Sequence, residues 1–93
     1  MANRSDLPVE VDTTLDGSGV YVGAWIDSAG IFRVRCVVQG AIAGVDESSD
    51  QTNVLRSVTL ADGDEVALTT RYFRLVGSGS ASATFRAALR VVG

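Results

Sequence analysis

Hydrophobic and polar positions alternate with a period of two along most of the chain, a pattern that predicts strands rather than helices. The clearest stretch is Ser82 to Val92, where Ala83, Phe85, Ala87, Leu89 and Val91 alternate with Thr84, Arg86, Ala88, Arg90 and Val92. Its alanines suit a helix, but a helix would carry arginine round most of its circumference, whereas a strand separates the apolar set from the arginines. Ile31 to Gln39 repeats the pattern: Phe32, Val34, Cys36 and Val38 are expected to face the core, and Ile31, Arg33, Arg35 and Val37 to face away from it. Val20 to Ile26 reads as one strand with two partly buried faces, Val20, Val22, Ala24 and Ile26 on one and Tyr21 and Trp25 on the other.

Weaker strands follow. Ala41 to Val45 leads into a polar loop, Asp46 to Asn53, and Val54 to Leu60 resumes the alternation. Glu65 to Thr69 and Tyr72 to Val76 are two short strands or one bent one, with Phe73 and Leu75 opposite Tyr72, Arg74 and Val76. Leu7 to Thr14 is an extended N-terminal arm or a first strand, with Pro8 at its start or at a sheet edge. Turns fall at Asp16-Gly17-Ser18-Gly19, Asp27-Ser28-Ala29-Gly30 and Ala61-Asp62-Gly63-Asp64, and Gly77-Ser78-Gly79-Ser80 reads as a flexible hairpin tip. About seven to eight strands with turns at this spacing predict an all-β fold, an antiparallel β-sandwich or jelly roll. Residues 1–14 are the arm or first strand, and residues 15–93 are one domain.

Size and composition narrow the function. A chain of 93 residues buries only about 60 to 70 percent of its unfolded surface, so outside support is expected. Cys36 is the one cysteine, which excludes an intrachain disulfide and leaves subunit contacts as that support. With no histidine, the usual zinc, copper and haem ligand sets are missing, no cofactor is expected, and Ser, Thr and Cys lack their customary activating base. Asp46, Glu47, Asp50, Asp62, Asp64 and Glu65 offer carboxylates, but all fall in expected turns, where Asp and Gly serve the backbone, so neither glycoside cleavage nor calcium binding is favoured. The protein is read as not an enzyme.

The net charge is −3 and all eight basic residues are arginine. An acidic total without a basic block argues against nucleic acid, and no stretch nears the roughly 20 apolar residues of a membrane span. Outward strand positions mix arginine with apolar and aromatic residues, the composition of protein interfaces. Arg33, Arg35, Tyr72, Arg74, Arg86 and Arg90 are therefore candidate partner contacts, joined by Leu7, Pro8 and Val9 of the arm, which is expected to reach a neighbouring chain. Trp25 with Tyr21 is a candidate sugar-stacking platform, although one Trp in a small sandwich more often serves the core or a subunit contact. Cys36, set among Phe32, Val34 and Val38, reads as a small buried hydrophobe.

Several short motifs, in this order, carry a resemblance: Gly23-Ala24-Trp25-Ile26-Asp27-Ser28-Ala29-Gly30, Phe32-Arg33-Val34, Glu47-Ser48-Ser49-Asp50, Arg71-Tyr72-Phe73-Arg74-Leu75 and Ala83-Thr84-Phe85-Arg86. Together they resemble small β-sandwich structural proteins of tailed bacteriophages, the virion decoration proteins and tail- or fibre-associated proteins. The resemblance implies a building block of the particle, made in the host cytoplasm, with the major capsid protein or other virion proteins as partners. A chain that starts at Met1 and stops after its last strand is expected to be made separately, which favours a capsid decoration, or cement, protein on the capsid surface. Such proteins are often trimers, so this chain is expected to be a homo-oligomer, with a trimer favoured. The alternative is a carbohydrate- or receptor-binding module of the tail or fibre, and a subunit of a phage-like secretion or gene-transfer particle would read the same way.

Overall fold

A computed structural model describes residues 9–28 and 33–92. All regular structure among them is β: β1 Val9–Thr14, β2 Val20–Val22, β3 Ile26–Asp27, β4 Arg33–Gln39, β5 Ile42–Ser48, β6 Arg56–Leu60, β7 Glu65–Ala67, β8 Tyr72–Ser78 and β9 Thr84–Val91. They form two antiparallel sheets, one in the order β1-β9-β4-β7 and one in the order β2-β8-β5-β6, with β3 also on β8. The last strand is β, as its alternation predicts. Of the arm, Val9–Thr14 is a strand laddered to β9 from Val9 opposite Leu89 to Thr14 opposite Thr84, while Leu7, Pro8 and the rest of 1–8 lie outside the described residues.

The ladders nest. β1 pairs with β9, β2 and β3 with β8, β4 with β7, and β5 with β6, so the first half of the chain pairs with the second half in reverse order, as in one long hairpin. Two further ladders, β4 with β9 and β5 with β8, roll that hairpin upon itself into two sheets. Both sheets contribute to one core: Val34, Cys36, Phe85 and Leu89 from the four-stranded sheet, and Val45, Phe73 and Leu75 from the five-stranded one, are fully buried. Tyr21 crosses the gap to Phe85, with ring centroids 5.3 Å apart.

Among the described residues nine strands appear where seven or eight were expected, and the extra one has a local cause. Val22 lies opposite Val76 but Ile26 lies opposite Phe73, so three residues, Gly23, Ala24 and Trp25, span the interval that Leu75 and Arg74 span on β8. One extra residue is a β-bulge, which reverses the in–out alternation beyond it. Tyr21 and Ile26 both pack against the core, instead of facing opposite ways as an unbroken Val20–Ile26 strand would have them.

Two further expectations are corrected. The loop expected from Asp46 begins later, because β5 runs to Ser48; Asp46 and Glu47 are held in the strand by partners on neighbouring strands. Gly77-Ser78-Gly79-Ser80 is not a hairpin tip: Gly77 and Ser78 end β8, and the chain then crosses to the other sheet to begin β9. Gly77 is a glycine for a packing reason, since a Cβ there would lie 2.6 Å from two ring carbons of Phe85.

Candidate functional site

The candidate contact residues fall on opposite sides of the molecule. Arg33 and Arg35 on β4, and Arg86 and Arg90 on β9, stand on the outer face of the four-stranded sheet; in the register, Arg35 is opposite Arg90 and Gln39 is opposite Arg86. Tyr72 and Arg74 stand on the outer face of the five-stranded sheet, across from the core residues Phe73 and Leu75 of the same strand. Val9 is half-buried and packs against the core, opposite Leu89, so its side chain supports β1 instead of reaching outward.

On the four-stranded face the two middle strands carry the arginines and the flanking strands carry the acids. Arg35 meets Glu65 of β7 at 2.6 Å and Arg33 meets the same carboxylate at 3.8 Å, with the arginine side chains about half exposed. Arg86 meets Asp12 of β1 at 3.2 Å, also in the open. Among the described residues Arg90 has no ion pair. Such exposed pairs hold weakly and exchange partners at small cost. Between β1 and β4 lies an open groove of about 480 Å³, floored by Ala88 and walled by Glu10, Asp12, Val37 and Gln39. The small side chain of Ala88 between two rows of longer ones is what makes it.

The five-stranded face is built differently. The bulge brings the Trp25 ring against Arg74, whose guanidinium carbon lies 4.2 Å from the ring centroid. Arg74 donates through Nε, at 3.1 Å, to Asp46 Oδ2, and Ser57 Oγ donates to Asp46 Oδ1 at 2.7 Å. A chain of contacts, Trp25–Arg74–Asp46–Ser57, thus crosses the sheet, and both charges in it are mostly covered, with side-chain exposures of 22% and 13%. Arg74 is committed to its own neighbours. As a sugar platform Trp25 is compromised too, because one face of its ring is taken by the guanidinium. Beside this chain stand exposed Val20, Val22 and Ile42, and half-buried Val76.

The polar group that sequence reasoning misplaced is Glu47. It sits on the core side of β5 with no exposure, and its Oε2 meets the Arg56 guanidinium at 2.5 Å. Its Oε1 accepts from Thr69 N at 2.7 Å and Oγ1 at 2.9 Å, and from Thr70 N at 3.2 Å, while the Thr70 hydroxyl, 3.3 Å away, donates its proton to Tyr72 O at 2.9 Å. Burial alone pushes this carboxyl up, but the donors of Thr69, the Arg56 guanidinium and Thr70 outweigh it, so the group stays below its ordinary range and charged. Arg56 also donates to Ala67 O at 2.7 Å, which ties the β6 edge of one sheet to the β7 edge of the other. The role is architectural. A signal was present in the two threonines, a ready donor set for a buried carboxylate, but nothing in the sequence shows that 47 and 69–70 meet.

The remaining acids of the expected turns serve the backbone. Asp50 accepts from Asn53 N, Thr52 N, Asn53 Nδ2 and Ser48 Oγ, which holds its carboxyl far below the usual range. Asp62 accepts from Val38 N, and Asp64 from Ala61 N. Among the described residues no three His, Cys, Asp or Glu side chains gather as a metal ligand set. Burial first, then the charges of Asp62 and Asp64, pushes the Cys36 thiol up to about 11, so it stays protonated near neutral pH. No helix of the described residues is long and apolar enough to cross a membrane. Comparison with protein-family models, with curated proteins and with solved structures gives no match.

Proposed function

We propose that this chain is a structural protein of a tailed-bacteriophage particle, a capsid decoration protein that binds the major capsid protein on the outside of the shell through its arginine-bearing four-stranded face. The strand order is the observation that carries this reading. With β2 and β3 counted as one bulged strand, the sheets run 1-8-3-6 and 2-7-4-5, an order that supports reading the fold as a jelly-roll sandwich, an architecture used by viral capsid and lectin domains. The resemblance of the short motifs to phage decoration and tail proteins supports it, as does the composition of the face. Arg33, Arg35 and Arg86 are held only by exposed acids and Arg90 has no ion pair among the described residues, so an acidic surface on a partner competes for them at little cost.

Jelly rolls also serve as lectins, which keeps the tail-associated carbohydrate-binding module as the second reading. The Arg74 guanidinium over the Trp25 ring weighs against it. Cryo-electron microscopy of particles from cells producing the chain, combined with sedimentation, tests both. The shell reading expects the protein at regular positions on the capsid, with occupancy falling in an Arg35→Glu, Arg90→Glu double variant. A chain found only in the soluble fraction, or glycan binding that vanishes in Trp25→Ala, sinks it.

A further inference from the structure

We infer that the outer face of the five-stranded sheet binds a second copy of this chain, in a two-fold, face-to-face dimer that leaves the arginine face free. The molecule is a slab with extents of 35 × 33 × 19 Å. Two sheets stacked about 10 Å apart account for the thin dimension, so the broad faces are the outer faces of the sheets. A broad face of this size can supply the roughly 800 Å² per partner that a stable interface needs.

Three of the large aliphatic side chains that stand exposed lie on this one face: Val20 at 40%, Val22 at 53% and Ile42 at 56%. Val22, Val76 and Gly44 are consecutive across the sheet in the ladders of β2, β8 and β5. Because Gly44 has no side chain, a hollow of about 220 Å³ opens there, between Ile42, Val76, Asp46 and Thr59. Ridge and hollow lie side by side on a single surface, so a copy turned by a two-fold axis sets its aliphatic ridge over the hollow of the first, and the reverse. The hollow has room for one aliphatic side chain.

Charge selects the occupant. The central strands of this face, β8 and β5, carry one arginine and one aspartate, already paired as Arg74–Asp46 at 3.1 Å. The face is therefore locally neutral, and a copy of it brings no net charge against it. The opposite face behaves otherwise: its two central strands, β9 and β4, present Arg86, Arg90, Arg33 and Arg35, with acids only on the flanking strands. A two-fold axis through that face sets arginine against arginine, which opposes self-pairing and suits a different, acidic partner. The use of a single face fixes the number: a face covered by one copy is used up, whereas a trimer needs lateral contact between two different patches.

The full chain, studied by sedimentation equilibrium and light scattering across the micromolar range, gives the test. The expected result is a reversible dimer whose dissociation constant rises at least about tenfold in Val22→Glu and in Ile42→Glu, and is unchanged in Val37→Glu, an exposed position on the arginine face. Each altered side chain is exposed, and urea midpoints equal to that of the parent, taken at a concentration low enough for the parent to be monomeric, verify that the variants fold. A second readout is the single Trp: Trp25 should become less accessible to iodide quenching as parent concentration rises, and not in Val22→Glu. A monomer at every concentration, a trimer, or a dimer broken by Val37→Glu and not by Val22→Glu overturns the inference. Particle binding is scored separately: a Val22→Glu monomer that still binds capsids upholds both readings, and a parental dimer that ignores capsids overturns only the capsid reading.

Discussion

The two sheets use the same residue, arginine, in opposite ways. In the five-stranded sheet the acids are covered: Glu47 is fully buried against Arg56, whose own side chain is 40% exposed, and Arg74 is clamped between Trp25 and Asp46. In the four-stranded sheet Arg33, Arg35 and Arg86 sit half exposed or more, on acids that are themselves 30% to 69% exposed. A buried pair loses much when one partner goes, because the survivor is left charged in a poor solvent; an exposed pair loses almost nothing, because water replaces the partner. One sheet therefore holds the fold together electrostatically, and the other keeps its arginines available.

The largest effect expected from this contrast is at Glu47. Glu47→Ala removes the acceptor for three donors, Thr69 N, Thr69 Oγ1 and Thr70 N, while Arg56, 40% exposed, keeps water and Ala67 O, so urea unfolding should show a loss of about 2 to 4 kcal/mol. Its pH dependence has a definite sign. The folded carboxyl lies below its ordinary 4.5, so its contribution is present above that pH and is lost as the pH falls through the folded value. The parent should weaken in this acid range, and Glu47→Gln should flatten that part of the profile. A Glu47→Gln protein as stable as the parent at neutral pH, with an unchanged acid limb, would break the comparison.

The core between the sheets gives the next effect. Gly77→Ala drives a methyl group into the buried Phe85 ring, which has no room to withdraw. Overpacking of this kind costs about 1 to 3 kcal/mol, read as a lower urea midpoint. A stability equal to the parent's would mean that the sheets move apart easily. The contrast between a rigid sheet with covered acids and a displaying one would then lose its footing.

Asp46→Ala probes the outer chain of contacts on the five-stranded sheet. It frees Arg74 from its carboxylate while leaving the guanidinium near the ring, and the loss should be about 1 to 2 kcal/mol, in line with hydrogen bonds to charged groups. Trp25 emission should shift as the guanidinium gains freedom. An effect below that of the exposed pairs would place Arg74 with the displayed arginines, and Asp46 with their acids.

Much of this contrast was legible in the sequence, and its limits are physical. Period-two alternation located β4 and β9 and the sides of their residues, because both strands are regular and half-buried, which is the condition alternation reports. It misread Val20 to Ile26, since a single inserted residue at Gly23–Trp25 reverses the alternation and no local signal announces it. It ended β5 too early because Asp46 and Glu47 look like turn residues; their partners, Arg74, Arg56, Thr69 and Thr70, are distant in sequence and become neighbours only when the hairpin rolls up. For the same reason alternation along one strand puts Arg33, Arg35, Tyr72, Arg74, Arg86 and Arg90 on the outer side of their strands yet does not divide them between two faces, and it does not reveal that Val9 packs against the core. Sheet membership depends on long-range ladders that the pattern along one strand does not encode.

The smallest effect is expected where the proposed binding lies. Arg35 makes the shortest ion pair of the four-stranded face, 2.6 Å to Glu65, yet its side chain is 51% exposed and that of Glu65 is 30% exposed. Holding two long side chains together costs rotamer entropy, and water and salt screen what remains, so Arg35→Ala or Glu65→Ala should change stability by no more than about 0.5 kcal/mol. A double-mutant cycle in urea, repeated at high salt, measures the coupling directly. A coupling above about 1 kcal/mol would assign Arg35 the structural part that Arg56 plays in the other sheet. A negligible one means that the guanidinium can leave Glu65 for a partner's carboxylate without weakening the fold, as a face kept for binding requires.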